Sequence, residues 1–275
     1  MEFVFITILA IAQGVAEFLP ISSSGHLAVL GQLFGFDAEQ NVQLNVVLHF
    51  GTLVAIVVYY WKHLWTMVLN RSKWPLIGWV ILGSVPAAIV GLSVKKLGLE
   101  GEIFNNYFVV GVGFLITATL LRCAMKKSNF DAATEPLEAL TWKKALTIGI
   151  AQGIAVCPGI SRSGSTIATA LQCKLDPAAS AEFSFLLAIP AIGGAALLDF
   201  VKVWKESVEQ GTGFTLNSDF FLMLWGGVAA AVVGYISLRL LMVILKKGKL
   251  TIFSNYLYCV AVLVLGLAFW QLFGL

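Results

Sequence analysis

Two short stretches of this chain concentrate residues able to do chemistry in apolar surroundings. The first, QGVAEFLPISSSGH at 13–26, offers Gln13, Glu17, Ser22, Ser23, Ser24 and His26. Gln13 and Glu17 are four apart, so they share one helix face. Pro20 breaks that helix and leaves the three serines near the start of the next. Hydroxyls and open backbone N–H groups at a helix start form an anion site. The second stretch, PGISRSGST at 158–166, carries Ser161, Arg162, Ser163, Ser165 and Thr166 between turn-forming glycines. Arg162 presents a planar fork of donors that matches phosphate oxygens, and the turn again precedes a helix whose dipole favours an anion. No Gly-Lys-Ser/Thr ends the run, so it is not a Walker A loop.

A carboxylate, an imidazole, several hydroxyls and a guanidinium together suit phosphoryl chemistry. A cation on Glu17 and Gln13 would neutralise phosphate charge, and Arg162 with the N–H groups would hold the charge that grows in the transition state. The attacking group is Ser23, His26, or a water or Ser23 activated by His26, and the spacing does not choose among them. A structural alternative is that Arg162 merely pairs with Glu17. Glu17 has to face a cavity, a cation or a partner, because a charge at the bilayer centre costs from about 3 to more than 10 kcal/mol.

Other polar residues read as structural. His49 is expected as a satisfied core histidine and His63 as solvated beside a basic loop. Asn45 could line the same cavity as Glu17. Asp176-Pro177 is expected as a helix cap followed by a first-turn proline, and Glu182 and Asp199 as caps or flanks of one span. Cys123, Cys157, Cys173 and Cys259 show no CxxC spacing and are expected as small buried apolar residues.

What must position these groups is membrane-embedded. Hydrophobic residues make up 59% of the 275 and charged residues 12%, with mean hydropathy +0.88. That leaves too little polar surface for a water-soluble globule. The net charge of +3 is too small to point to a nucleic-acid partner, and none is expected. Apolar stretches at 44–61, 75–94, 107–125, 182–201, 220–245 and 253–274 predict six transmembrane helices. Residues 3–36 and 145–175 are each broken by a polar turn and predict two re-entrant helical hairpins. No Lys or Arg precedes Lys62, so the opening apolar stretch is expected to stay part of the membrane domain and not to act as a cleaved leader.

The chain also repeats itself. Residues 11–25 align without gaps onto 150–164 with nine of fifteen positions identical, and GSVPAAIVG at 83–91 matches GGVAAAVVG at 226–234. One hairpin plus three spans per half inverts the second half. The fold class expected is therefore an all-α integral membrane protein with an inverted-topology repeat, repeat one at 1–125 and repeat two at 140–275, in one membrane domain. Loops at 62–74, 122–144 and 239–249 hold twelve Lys and Arg, against four in the alternate loops. This places both chain ends outside, the first hairpin entering from outside and the second from the cytoplasm. Trp61, Trp65, Trp74 and Trp79 are expected as interfacial anchors.

At these motifs the chain closely resembles the undecaprenyl-pyrophosphate phosphatase family of the bacitracin-resistance type. QGVAEFLPISSSGH at 13–26 resembles its Glu/Gln-x-x-x-Glu and Pro-x-Ser-Ser-x-Gly-His runs, PGISRSGST at 158–166 its Pro-Gly-x-Ser-Arg-Ser-Gly-x-Thr run, and AEFSFLLAIPA at 181–191 also looks like it. The resemblance implies interlocked inverted repeats and hydrolysis of a C55 isoprenyl pyrophosphate to the monophosphate plus inorganic phosphate, recycling the cell-wall lipid carrier. It also implies a divalent cation, Mg2+ or Ca2+, and a multi-pass protein of the bacterial inner membrane whose site opens to the outer face. Carried over by motif, Glu17 and Gln13 position metal or pyrophosphate, Ser23 and His26 supply nucleophile and base or acid, and Arg162 with Ser161, Ser163 and Thr166 grips phosphate. Ser22, Ser24 and Ser165 complete the expected substrate contacts. Many members have Glu where Gln13 stands, and an amide coordinates metal more weakly. The expected partners are the isoprenyl pyrophosphate and membrane lipid, with a homodimer left open.

Two other classes compete. Inverted repeats with broken helices are also transporter features, so a lipid-carrier flippase or transporter is the alternative. A phosphatidic-acid-type phosphatase shares Ser-Gly-His and Ser-Arg, but it needs a His six residues past the Arg, where Ala168 stands.

Overall fold

The structure, a computed structural model, describes residues 2–33, 42–99, 102–103, 106–126, 130–131, 133–209 and 218–273. Residues 34–36 of the first broken segment, Lys127 of one basic stretch and position 274 of the last apolar one lie outside the described residues. Among the described residues the regular structure is helical, apart from an isolated bridge between Glu135 and Leu175. The helices are α1 (Glu2–Phe18), α2 (Ser23–Leu33), α3 (Val42–Tyr59), α4 (Trp61–Leu69), α5 (Trp74–Lys96), α6 (Tyr107–Ala124), α7 (Trp142–Ile154), α8 (Arg162–Gln172), α9 (Pro177–Glu209), α10 (Ser218–Lys246) and α11 (Thr251–Phe273). Short 3-10 turns occupy Arg71–Lys73 and Leu137–Ala139.

Five helices, α5, α6, α9, α10 and α11, are long and apolar enough to cross a membrane, and α3 with α4 makes a sixth if that pair, bent by 70°, is one span. The six expected spans fall on α3, α5, α6, α9, α10 and α11. The expected basic loop after the first span is instead partly helical. In α4, Trp61 and Trp65 stand one turn apart, stack at 5.9 Å and stay exposed, while Met67 is buried. Trp74 is exposed as an anchor should be, but Trp79 is half-buried and packs against a core cluster.

Polar side chains set the helix starts. Asn106 accepts from Phe108 and Val109 N–H to open α6, and Asp176 accepts from Ala179 N–H at 2.8 Å just before Pro177 opens α9. Two expectations about α9 change. Glu182 and Asp199 lie inside this 33-residue helix, and each has a basic partner: His63 Nδ1 at 2.9 Å from Glu182, and Lys95 Nζ at 2.7 Å from Asp199. His63 is thus held by a carboxylate and not simply solvated. His49 is satisfied as expected, its Nδ1 2.8 Å from the Asn45 carbonyl. The four cysteines are not buried: Cys123, Cys157 and Cys173 are half-buried and Cys259 is exposed. Lipid is as apolar as a core, so a small apolar side chain has no reason to turn inward.

Packing links the two halves. α1 lies along α10 and α7 lies along α5, while α3 pairs with α10 and with α9, and α6 pairs with α11. The α5–α7 crossing is close: a Cβ on Gly149 would stand 2.3 Å from the Gly83 carbonyl oxygen. Small residues at such crossings let backbones meet where lipid gives no hydrophobic drive to association. Phe18, Phe114, Phe183 and Phe185 are fully buried at the centre. Ile81, Leu198, Val228, Ile236, Val262 and Leu263 are exposed, an outer surface that only lipid can solvate.

Candidate active site

The two polar turns lie face to face. Ser22, at φ +68°, turns the chain from α1 into α2, and its hydroxyl accepts the Gly25 N–H at 3.3 Å. In the second turn Gly159 adopts φ +83°, and a Cβ there would be 2.1 Å from the Val110 carbonyl oxygen, so glycine lets α6 seat the loop. Ser161 then caps α8, accepting the Gly164 N–H at 3.0 Å. Ser22 and Ser161 are equivalent positions of the internal repeat, and both start helices whose positive ends meet at one place. The loops touch: a Cβ on Gly25 would lie 2.9 Å from Gly159 Cα. Thr117 of α6 ties the second loop down. It accepts the Ser161 N–H at 2.9 Å and directs its own proton to the Gly113 or Gly159 carbonyl, 3.1 and 3.3 Å away.

Glu17 is the hub. Arg162 Nη2 donates to its Oε1 at 2.7 Å, Ser23 Oγ donates to Oε2 at 2.8 Å, and Gln13 Nε2 donates to Oε2 at 3.1 Å. Glu17 is only 8% exposed, so three donors, one cationic, offset the loss of water around its charge. Around this pair lies a cavity of about 50 Å³, lined by Glu17, Ser22, Ser23, Ser24, Ser161 and Arg162 with a few apolar neighbours. Two buried polar atoms here have no hydrogen-bond partner, Gln13 Oε1 and Arg162 Nη1.

Gln13, which reaches the site through Glu17, and the other expected residues are not among those that line this cavity. Ser163 is buried behind it, 3.2 Å from Ser161 Oγ and 3.4 Å from the Leu19 carbonyl. Ser165 is buried with an unpartnered hydroxyl. Thr166 does not reach the cavity: it pairs with Ser184 of α9 at 2.6 Å and with carbonyls of its own helix. It lies one turn beyond Arg162 on the face packed against α9, so it fastens two helices together. Asn45 is not among the lining residues. His26 turns to α11, where its Nε2 is 2.8 Å from Tyr256 Oη, while its Nδ1 is 2.8 Å from the Ser22 carbonyl of its own turn. A carbonyl only accepts, so Nδ1 carries the proton and a neutral ring accepts the Tyr256 proton at Nε2. Tyr256 stacks on the imidazole at 5.7 Å, and Phe114 tilts against it at 5.0 Å. Tyr256, Phe114, Thr117 and Ser184 were not singled out in the sequence, because a lone polar or aromatic residue inside an apolar span carries no local signal.

A divalent cation suits part of this donor set. Glu17 supplies a carboxylate and Gln13 Oε1 is a buried carbonyl oxygen without a partner. Magnesium in particular is held by one or two carboxylates plus water and substrate phosphates, without an all-protein cage. Among the described residues no three His, Cys, Asp or Glu side chains gather into an all-protein site.

Comparison with known proteins identifies the family of the chain. The family model of the bacitracin resistance protein BacA matches residues 6–263. An undecaprenyl-diphosphatase of Halothermothrix orenii is 36% identical over 270 residues, covering 98% of this chain and 99% of that protein. One of Carboxydothermus hydrogenoformans is 38% identical over 266 residues, 94% of each chain. One of Methanosphaera stadtmanae is 34% identical over 279 residues, covering 94% of this chain and 95% of that protein. The match runs through both polar loops and nearly the whole length, so this chain belongs to the bacitracin resistance protein BacA family.

Proposed function

We propose that this membrane protein hydrolyses undecaprenyl pyrophosphate to undecaprenyl phosphate and inorganic phosphate, at the cavity between residues 13–26 and 158–166. The observation that carries the reading is the Glu17–Arg162 pair, made from two distant loops and ringed by serines at two helix starts. Relatives matching along nearly the full length bear the name of that activity.

The chemistry follows from the donors present. The terminal phosphate competes with Glu17 for Arg162, whose Nη1 is already open to an acceptor. Ser22, Ser24, Ser161 and the first-turn N–H groups of α2 and α8 surround the remaining phosphate oxygens. Ser23 Oγ points its proton at Glu17 Oε2, the arrangement of a hydroxyl set against a carboxylate base. Ser23 is the attacking group in this reading. Its oxygen bonds to the terminal phosphorus, its proton passes to Glu17, and the bridging P–O bond breaks with the lipid monophosphate as leaving group. Water then attacks the phosphoserine: its hydroxyl joins phosphorus, the Glu17 proton returns to the serine oxygen as the Ser O–P bond breaks, and inorganic phosphate leaves while water's other proton passes to solvent. His26 relays protons at the edge of the site. A divalent cation, Mg2+ or Ca2+, held by Glu17 and Gln13 would neutralise pyrophosphate charge as Arg162 turns from carboxylate to phosphate.

The proposed fold is an inverted repeat of residues 1–125 and 140–275, with two re-entrant hairpins. The exchanged pairing of α1 with α10 and α7 with α5 supports it. So does helix length: α7 and α8 rise about 20 and 16 Å, short of a hydrocarbon core about 30 Å thick. The charge bias of the loops supports a site open to the outer face of the inner membrane.

Phosphate release from undecaprenyl pyrophosphate by the purified protein in detergent is the test. Release that disappears in Arg162→Ala supports the reading. Movement of the lipid across a vesicle bilayer without any phosphate release would show the chain to be a transporter instead.

A further inference from the structure

A second cavity, of about 320 Å³, lies against the back of the second polar loop. Its walls are Pro86, Val90 and Val94 of α5, Ile150 and Ile154 of α7, and Cys157 of the turn. The two cavities share one strip of backbone. Ala155 faces the polar cavity, while Ile154, Val156 and Cys157 face the apolar one.

The gap has a structural cause. α7 runs alongside α5, in contact from Gly149 on Gly83 to Gly153 on Pro86. It stops at Ile154, whereas α5 continues to Lys96. The last turns of α5 therefore lose their packing partner at the level where the chain bends toward Arg162. That leaves a groove, apolar on every side, whose inner end abuts the loop that carries the guanidinium.

We infer that this groove seats the first isoprene units of the prenyl chain, next to the pyrophosphate. The inference rests on the substrate being a prenyl pyrophosphate. A head group between Glu17 and Arg162 has its chain leaving through lipid-exposed protein, and this concavity adjoins the polar cavity along one of its walls. The volume is at the low end for a small-molecule pocket, roughly 300–1,000 Å³. It accommodates the start of the chain and leaves the remainder in the bilayer. Lipid tails are as apolar as the groove, so the seat contributes little attraction. It acts by fixing the direction of the chain, and so the approach of the phosphate to Ser23.

The test fills the groove. Val90→Trp and Ile154→Trp project bulk into it from two exposed positions, and Val262→Trp, on exposed α11 surface, is the control. Phosphate release is compared for undecaprenyl pyrophosphate and, as the short substrate, inorganic pyrophosphate, which has no chain to enter the groove. A fall of about tenfold or more in kcat/KM for the long substrate, with the short one within twofold and the control unchanged, is the expected result. Equal loss on both substrates, or no loss on either, overturns the seat. A photoreactive group on the first isoprene unit of the long substrate gives a second readout that needs no turnover. Labelling within residues 86–94 or 150–157 supports the inference and labelling elsewhere ends it. Wild-type protein that releases phosphate from neither substrate removes the phosphatase reading itself, and the labelling pattern still judges the groove.

Discussion

Arg162 reaches Glu17 across 145 residues of sequence and holds Oε1 at 2.7 Å through Nη2, while its Nη1 is buried without a hydrogen-bond partner. An unsatisfied buried donor costs about 1–3 kcal/mol, and more if charged. The fork is thus half satisfied by protein and half open to an oxygen from outside. Arg162→Lys keeps the charge and loses the fork. Expected is a fall in kcat/KM of about a hundredfold, about 2.7 kcal/mol at 1.36 kcal/mol per tenfold, measured as phosphate release. Wild-type kinetics in the lysine variant would mean that charge alone suffices.

The same pair makes a stability prediction that needs no substrate. Removing one partner of a buried ion pair leaves an uncompensated charge and costs about 3–5 kcal/mol. Removing both leaves none. Glu17→Ala and Arg162→Ala should each lower the Tm of the purified protein by several degrees, and the double variant should recover part of the loss. Additive losses in the double variant would mean that the two charges do not depend on each other.

Much of this was legible from residue types. The duplication at 11–25 and 150–164 exposed both loops, and the charge of Glu17 in an apolar setting demanded the partner that Arg162 provides. The six apolar stretches each became a helix because twenty apolar residues in lipid must close their own backbone hydrogen bonds. Orientation around the cavity was not legible. Thr166 sits in the same motif as Arg162 and on the same side of α8, yet one turn deeper its hydroxyl meets Ser184 of α9. Tyr256 meets His26 from 230 residues away, a tertiary contact without a local pattern. The 70° bend after Tyr59 was hidden because Trp61 to Leu69 extends the helical periodicity while changing direction.

Thr166 separates motif from site. Its hydroxyl joins Ser184 at 2.6 Å in a buried α8–α9 contact. Thr166→Val keeps the shape and leaves Ser184 short of a partner, at a cost of about 1–3 kcal/mol. Thermal stability should fall by a few degrees while KM stays within twofold. A large rise in KM at unchanged stability would put Thr166 back among the phosphate ligands.

Cation dependence is the next test. In the proposed site one carboxylate and one amide oxygen would be the protein donors, so the ion should be exchangeable. Activity should vanish on chelation with EDTA and return with added Mg2+ or Ca2+. Gln13→Glu adds a second carboxylate and should lower the half-saturating cation concentration about tenfold. Turnover untouched by EDTA would remove the cation from the mechanism.

His26 gives the last prediction. Its Nδ1 is committed to the Ser22 carbonyl, and its Nε2 accepts from Tyr256. Tyr256 thereby fixes both the tautomer and the direction of the ring, while its own ring stacks on the imidazole. Tyr256→Phe keeps the stack and removes the hydrogen bond. If Tyr256 acts through His26, the phenylalanine variant should lose about tenfold in kcat with little change in KM, and Tyr256→Ala should lose more. The decisive measurement is the pair: in a His26→Ala background, Tyr256→Phe should cost nothing further, because the group it positions is gone. Independent, multiplying losses would place Tyr256 in contact with the substrate in its own right.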